Sequence, residues 1–132
     1  MSAINYPEDL LYHPGHGWAR VHGPEAELGI SWFAQDSLGE ITFVDLPAVG
    51  TPVVAGDSYA EVESLKALSD VVAPLSGEVT RVNGDLAQRP DVVNDEPYGR
   101  GWLVWIRMSD PVEVAALLSA AAYAAVVDEA SA

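Results

Sequence analysis

One amine stands apart in this chain. Lys66 is the sole lysine, and the other five basic residues are all arginine. It lies in Glu61-Val62-Glu63-Ser64-Leu65-Lys66-Ala67-Leu68-Ser69-Asp70, between two apolar, β-prone runs, Ser58 to Glu63 and Val71 to Val79. A lysine so placed sits at the tip or shoulder of a β-hairpin, held out into water. It suits covalent attachment of a group, because no other lysine side chain competes for a modifying enzyme. Glu63 and Asp70, three residues before and four after, supply an acidic recognition patch. A Schiff-base role fits poorly. It needs a buried amine with a depressed pKa, whereas flanking carboxylates favour the protonated form. An ordinary surface lysine is the plain alternative.

The other reactive side chains point nowhere as specific. His13, His16 and His22 are candidate metal donors, but Pro14, Gly15 and Gly17 intervene and no fourth ligand has suitable spacing. Loop histidines packed beside Trp18 are the simpler reading, so no metal is expected. No nucleophile with an attendant base, phosphate-cradling loop or paired-carboxylate motif is present, so no catalytic residue is assigned. There is no cysteine, which excludes disulfides, a thiol nucleophile and a thiolate metal site; any redox chemistry must be added to the chain. A formal charge of -14 repels phosphate backbones and argues against nucleic-acid binding. The beginning of the chain, Met1 to Leu10, has no basic segment followed by an apolar core, and the run Val114 to Val127 is too short to span a bilayer. The reading is a cytoplasmic protein with no membrane association.

At 132 residues and 49% hydrophobic content the chain reads as one domain over 1–132, with its core over about 10–108. Pro7 to Tyr12 reads as a short turn or a single helical turn. Trp18-Ala19-Arg20-Val21 alternates as a strand, and Ala26 to Ile30 returns after the His22-Gly23-Pro24-Glu25 turn. Ser31 is placed to cap a short helix that Gly39 ends. Strands follow over Glu40–Val44, Pro52–Val54 and Ser58–Glu63. Gly77 reads as a positive-φ turn ahead of the Glu78 strand. Two blocks recur: Leu38 to Asp45 is echoed by Ser76 to Asn83, and Val53 to Tyr59 by Val92 to Tyr98. The offsets suggest a duplicated β unit with Lys66 between the copies. Gly101 to Met108 closes the second copy as a strand. Trp102 and Trp105 have opposite parity there, so they face opposite ways. Asp110, Pro111 and Glu113 mark a helix start, read as running over about 111–127 with Val114, Leu117, Leu118 and Ala121 on its packed face.

The segments Glu63-Ser64-Leu65-Lys66-Ala67-x-Ser69-Asp70 and Ala73-Pro74-Leu75-Ser76-Gly77-Glu78-Val79 resemble the lipoyl-lysine region of the glycine cleavage system H protein family. The resemblance continues upstream, in Ala34-Gln35 and in Leu38-Gly39-Glu40-Ile41-x-Phe43-Val44-Asp45-Leu46-Pro47. Downstream it includes Val93-Asn94-Asp95-x-Pro97-Tyr98 and Gly101-Trp102-Leu103. It implies a mainly β fold, a barrel-sandwich hybrid of the lipoyl-domain kind with short flanking helices and a C-terminal helix. It implies lipoate in amide linkage on Lys66, and a non-catalytic carrier that moves the aminomethyl group of glycine. The implied partners are a pyridoxal-phosphate glycine decarboxylase, a tetrahydrofolate-dependent aminomethyltransferase, an FAD- and NAD-using dihydrolipoamide dehydrogenase, and a lipoate ligase or transferase. Biotin acceptors usually carry methionine on both sides of the lysine, whereas Leu65 and Ala67 stand here. Two positions depart from the family. Gly17 and Trp32 occupy sites where members usually have acids, the first near the cleft in which the loaded arm rests. That departure keeps a second reading open, an H-like lipoyl carrier serving another pathway such as sulfur oxidation or an acyl or redox relay.

Overall fold

The structure, a computed structural model, describes residues 6–131. Among these residues nine strands form two sheets. The larger holds β1 (Leu11–Tyr12), β2 (Gly17–His22), β3 (Glu25–Ile30), β9 (Val104–Met108), β8 (Gly77–Val82) and β5 (Pro52–Val53), in that spatial order. The smaller holds β4 (Ile41–Asp45), β6 (Ser58–Ser64) and β7 (Leu68–Val72). All pairings are antiparallel. The helices are α1 (Trp32–Leu38), α2 (Val92–Asp95) and α3 (Ala120–Ser131). This is the expected mainly β barrel-sandwich architecture with a C-terminal helix.

Alternation along the strands builds the core. Ala26, Leu28 and Ile30 from β3, Val62 from β6, Val79 from β8 and Ile106 from β9 share one interior, as period-two side chains must when one face of each sheet is covered. A second, aromatic cluster lies outside the larger sheet. Trp18 and Tyr12 are fully buried there against Tyr123 of α3, and the Tyr12 and Tyr123 rings stack at 4.8 Å and 8°. Trp18 reaches that cluster by lying across Gly29, where any Cβ would fall 2.6 Å from its indole. Trp102 joins the aromatic cluster. Trp105 lies further along the same outer face, opposite Glu27, stacked on His22 at 4.8 Å with the Arg81 guanidinium over it. The expectation that these two tryptophans face opposite ways is not met: Trp102 precedes β9, so strand alternation does not relate the two side chains.

Several local readings need correction. The helix expected over about 111–127 is two pieces. Pro111–Ala116 is a 3-10 turn capped by the Asp110 carboxylate, Leu117 is extended, and Leu118 bridges to Tyr12 in β1 before α3 begins. Glu113 is drawn away from the cap, because its carboxylate accepts from the Ser76 backbone N–H at 2.7 Å and the Ser76 hydroxyl at 2.8 Å. On the face expected to pack, Val114 and Leu117 touch the core and Leu118 joins the aromatic cluster, but Ala121 is exposed. Of the two sequence echoes, only the first is structural. Both Ile41–Asp45 and Gly77–Val82 are strands, whereas Val53 lies in β5 and its counterpart Val92 opens α2. Gly77 has no positive φ. It is required because a Cβ there would sit 2.2 Å from the Arg107 carbonyl oxygen. Finally, Leu11–Tyr12, read as part of a turn, is an edge strand paired with Ala19 and Trp18.

Candidate functional site

The lysine hairpin is β6 paired with β7, with Glu63 opposite Leu68 and Glu61 opposite Asp70. Its tip is built from one buried side chain. The Ser64 hydroxyl accepts from the Ala67 backbone N–H at 3.1 Å and the Lys66 N–H at 3.3 Å, while the Ser64 N–H donates to the Ala67 carbonyl at 2.8 Å. A serine serving its own turn in this way replaces the ladder where the chain reverses. The tip is also fastened sideways. The Leu65 N–H donates to the Glu40 carbonyl at 3.2 Å, tying it to the start of β4.

Lys66 is exposed, and among the described residues no hydrogen bond or salt bridge engages its Nζ. Its side chain runs beside Gly39, whose Cβ, if it had one, would lie 3.7 Å from the Lys66 Cε. Gly39 has φ 79° and ends α1, its N–H donating to the Gln35 carbonyl, while Ser31 caps the other end through the Ala34 N–H. The capped helix read from Ser31 and Gly39 is therefore present, and it leads to the root of the lysine. Asn94 braces that corner: its amide nitrogen donates to the Gly39 carbonyl at 2.8 Å and to Gln35 Oε1 at 3.0 Å, and its oxygen accepts from the Ile41 N–H at 2.9 Å. The Asn94 segment had no role in the sequence beyond a polar turn. A buried-side amide beside two helix ends has no local pattern to reveal it.

Between α1, the hairpin and the loop before β2 lies a cleft of about 180 Å³. Ile30, Phe33, Leu38, Val62 and Val71 make its walls apolar. His16, Ser37, Ser69 and Asp70 supply the polar groups, and Asp70 is the one carboxylate among the lining residues. Asp70 also accepts from the Ser58 hydroxyl at 3.3 Å. Glu63 is exposed on β6. The hairpin brings Glu63, Lys66 and Asp70 onto one element, but only Asp70 reaches the cleft.

The histidines do not converge. His22 stacks on Trp105 on the outer sheet face, and the His13 ring accepts from the Gly15 N–H at 2.8 Å. His16 packs on Phe33 and Tyr123 rather than on Trp18. Burial holds the His16 imidazole below its ordinary pKa, and His13 adds to the effect. Gly17 is buried, and a side chain there would start 3.1 Å from the Val72 carbonyl oxygen. Trp32 packs against the aromatic cluster, its backbone N–H donating to the Tyr98 hydroxyl at 2.7 Å. Of the two departures, Gly17 follows His16 in sequence but is not among the residues lining the cleft, and Trp32 lies on the aromatic cluster. Among the described residues no helix is long and apolar enough to cross a membrane.

The fold and sequence are similar to those of known proteins. A crystal structure of a glycine cleavage system H protein from Mycobacterium marinum superposes with a TM-score of 0.85 at 37% identity, covering 92% of this chain and 98% of that one. A glycine cleavage system H protein from Anaeromyxobacter sp. (strain K) is 48% identical over 126 residues, 96% of this chain and 98% of the relative. One from Cronobacter sakazakii is 49% identical over 126 residues, 95% and 98% of the two chains. The family model described as glycine cleavage H-protein matches residues 10–130. With the match spanning both sheets, the lysine hairpin and α3, the chain belongs to the glycine cleavage H-protein family.

Proposed function

We propose that the chain is the lipoyl carrier of a glycine cleavage system, with lipoate in amide linkage on Lys66. The observation that carries this is the sole lysine, exposed at the tip of a pinned hairpin, without a partner for Nζ among the described residues, on a hairpin whose two strands also wall an apolar cleft. The residues fit the group: an amine free of ion pairs can be acylated, and an apolar cleft suits an aliphatic arm. When bound, lipoate supplies the dithiol that a cysteine-free chain lacks and that takes up the aminomethyl group of glycine. The hairpin presents the amine, Glu63 and Asp70 mark it for the lipoate ligase or transferase, and the cleft walls exclude water from an arm at rest. The chain's part in this reading is that of a non-catalytic carrier, with no side chain assigned to bond making at the cargo. Glycine decarboxylase, aminomethyltransferase and dihydrolipoamide dehydrogenase act on the arm in turn.

The relatives carry the glycine cleavage name, and no feature of the site favours the alternative pathway. Intact mass after treatment with lipoate and a lipoate ligase should rise by one lipoyl group. Lys66→Arg should stay unmodified with its stability changed by less than roughly 0.5 kcal/mol, as for an exposed side chain. Modification that survives Lys66→Arg refutes the assignment. Failure of the lipoylated protein to support exchange of the glycine carboxyl with bicarbonate, given decarboxylase, refutes the pathway.

A further inference from the structure

His16 is the one non-glycine among the described residues with a positive φ, 75°. A histidine in the left-handed region costs free energy, and such outliers persist where the surroundings hold them for a purpose. The surroundings here are specific. His16 Nδ1 lies 2.8 Å from the Tyr123 hydroxyl, which lies 2.7 Å from the fully buried Ser31 hydroxyl. The imidazole rests on Phe33 at 4.9 Å. Its carbonyl accepts from the Ser31 N–H at 2.9 Å, and its own N–H donates to the His13 carbonyl at 2.8 Å. Thus α3, α1 and the preceding loop all fix the ring, and the ring lines the cleft that holds Asp70. With Nδ1 engaged by Tyr123, Nε2 is the nitrogen left for a ligand, and it has no hydrogen-bond partner among the described residues.

We infer that His16 is the second group, with Asp70, that holds the aminomethyl cargo when the arm lies in the cleft; the inference rests on the carrier reading above. An aminomethyl nitrogen in its ammonium form is a donor only. Asp70 offers one acceptor. The neutral imidazole offers another at Nε2, provided its proton is on Nδ1. That tautomer is compatible with the relay, in which the Tyr123 hydroxyl accepts from Nδ1–H and donates to the Ser31 hydroxyl. Two acceptors on apolar walls select a small cationic amine over an uncharged acyl load, which would leave Asp70 and Nε2 unpaired.

The test uses lipoylated protein loaded from glycine by the decarboxylase and then separated from it. His16→Asn tolerates a positive φ and retains a group at the Nδ1 position for Tyr123, but it removes Nε2. His16→Gln restores a polar atom near the Nε2 position. The cargo half-life is read by intact mass, and the imidazole nitrogens of the wild type are followed by 15N NMR before and after loading. His16→Asn should lose cargo about tenfold faster, the factor expected for one charge-assisted hydrogen bond. His16→Gln should recover most of that loss, and the Nε2 resonance should move on loading while Nδ1 stays. Equal half-lives for wild type and His16→Asn, or an Nε2 resonance that ignores loading, overturn the inference. A wild-type protein that takes up lipoate but no cargo overturns the glycine cleavage reading instead, and one that takes up no lipoate overturns the carrier reading.

Discussion

Gly77→Ala tests whether the close approach of β8 to β9 is what requires glycine. The added Cβ would lie 2.2 Å from the Arg107 carbonyl oxygen and 2.9 Å from its carbonyl carbon. A comfortable carbon–oxygen contact needs roughly 3.3 Å, so the strands must part locally by about 1 Å. Backbone atoms on both sides leave no flexible side chain to give way. The Ser109 N–H to Ser76 carbonyl bond, now 3.0 Å, would stretch out of range. The short β5 pairing, Val53 opposite Gly77, would loosen too. One or two ladder bonds at about 1 kcal/mol each, with an overpacking cost of about 1–3 kcal/mol, place the loss near 3 kcal/mol. For a chain of this length that is a fall of about 10 °C in Tm. Urea unfolding and calorimetry read it directly, and Gly77→Val should not fold at all. The site is remote from the hairpin tip, so lipoylation of Lys66 in Gly77→Ala at low temperature should match wild type. A loss under about 0.5 kcal/mol refutes the reasoning.

Tyr59 buries a hydroxyl with no partner among the described residues. Tyr59→Phe should raise the unfolding free energy by about 1 kcal/mol, since an unsatisfied buried polar group is removed with its ring retained; an unchanged or lower value in urea would show that the hydroxyl is satisfied. Burial lowers the pKa of His16, so the unfolded chain binds its proton at a higher pH than the folded one. Stability therefore falls as pH drops through the unfolded value of about 6.5 and levels off below the folded value. The difference in unfolding free energy between wild type and His16→Asn should shrink over that window, and a pH-independent difference refutes the shift.

The strands and the attachment lysine were legible because their signals are local. Period-two alternation marks β2, β3 and β6, and a unique lysine between two β runs needs no tertiary information. Ser31 and Gly39 likewise declared α1, since a cap is read within one helical turn. The break in the C-terminal helix was not legible. Asp110 and Pro111 do start a helical turn, but Glu113 is held by Ser76, 37 positions earlier, and Leu118 pairs with Tyr12. Long-range contacts overrode a good local signature. Gly77 shows the same limit: the need for glycine was visible, while its cause lay in a neighbouring strand. The cleft was the least legible part. His16 carries no motif that marks it, and its role emerges only when α3 brings Tyr123 to Nδ1.

The bond from the Leu65 N–H to the Glu40 carbonyl has a further consequence for the arm. A hairpin tip normally sways, and its sway would add to the freedom of anything tethered there. Here the tip is tied to the corner that Asn94 braces, so the tether starts from a fixed pivot. The volume searched by the far end is then set by the torsions of the lysine and its load alone. A smaller search volume means a higher effective concentration at any surface docked against that pivot. It also leaves less entropy to lose when the arm folds back into the cleft beside it.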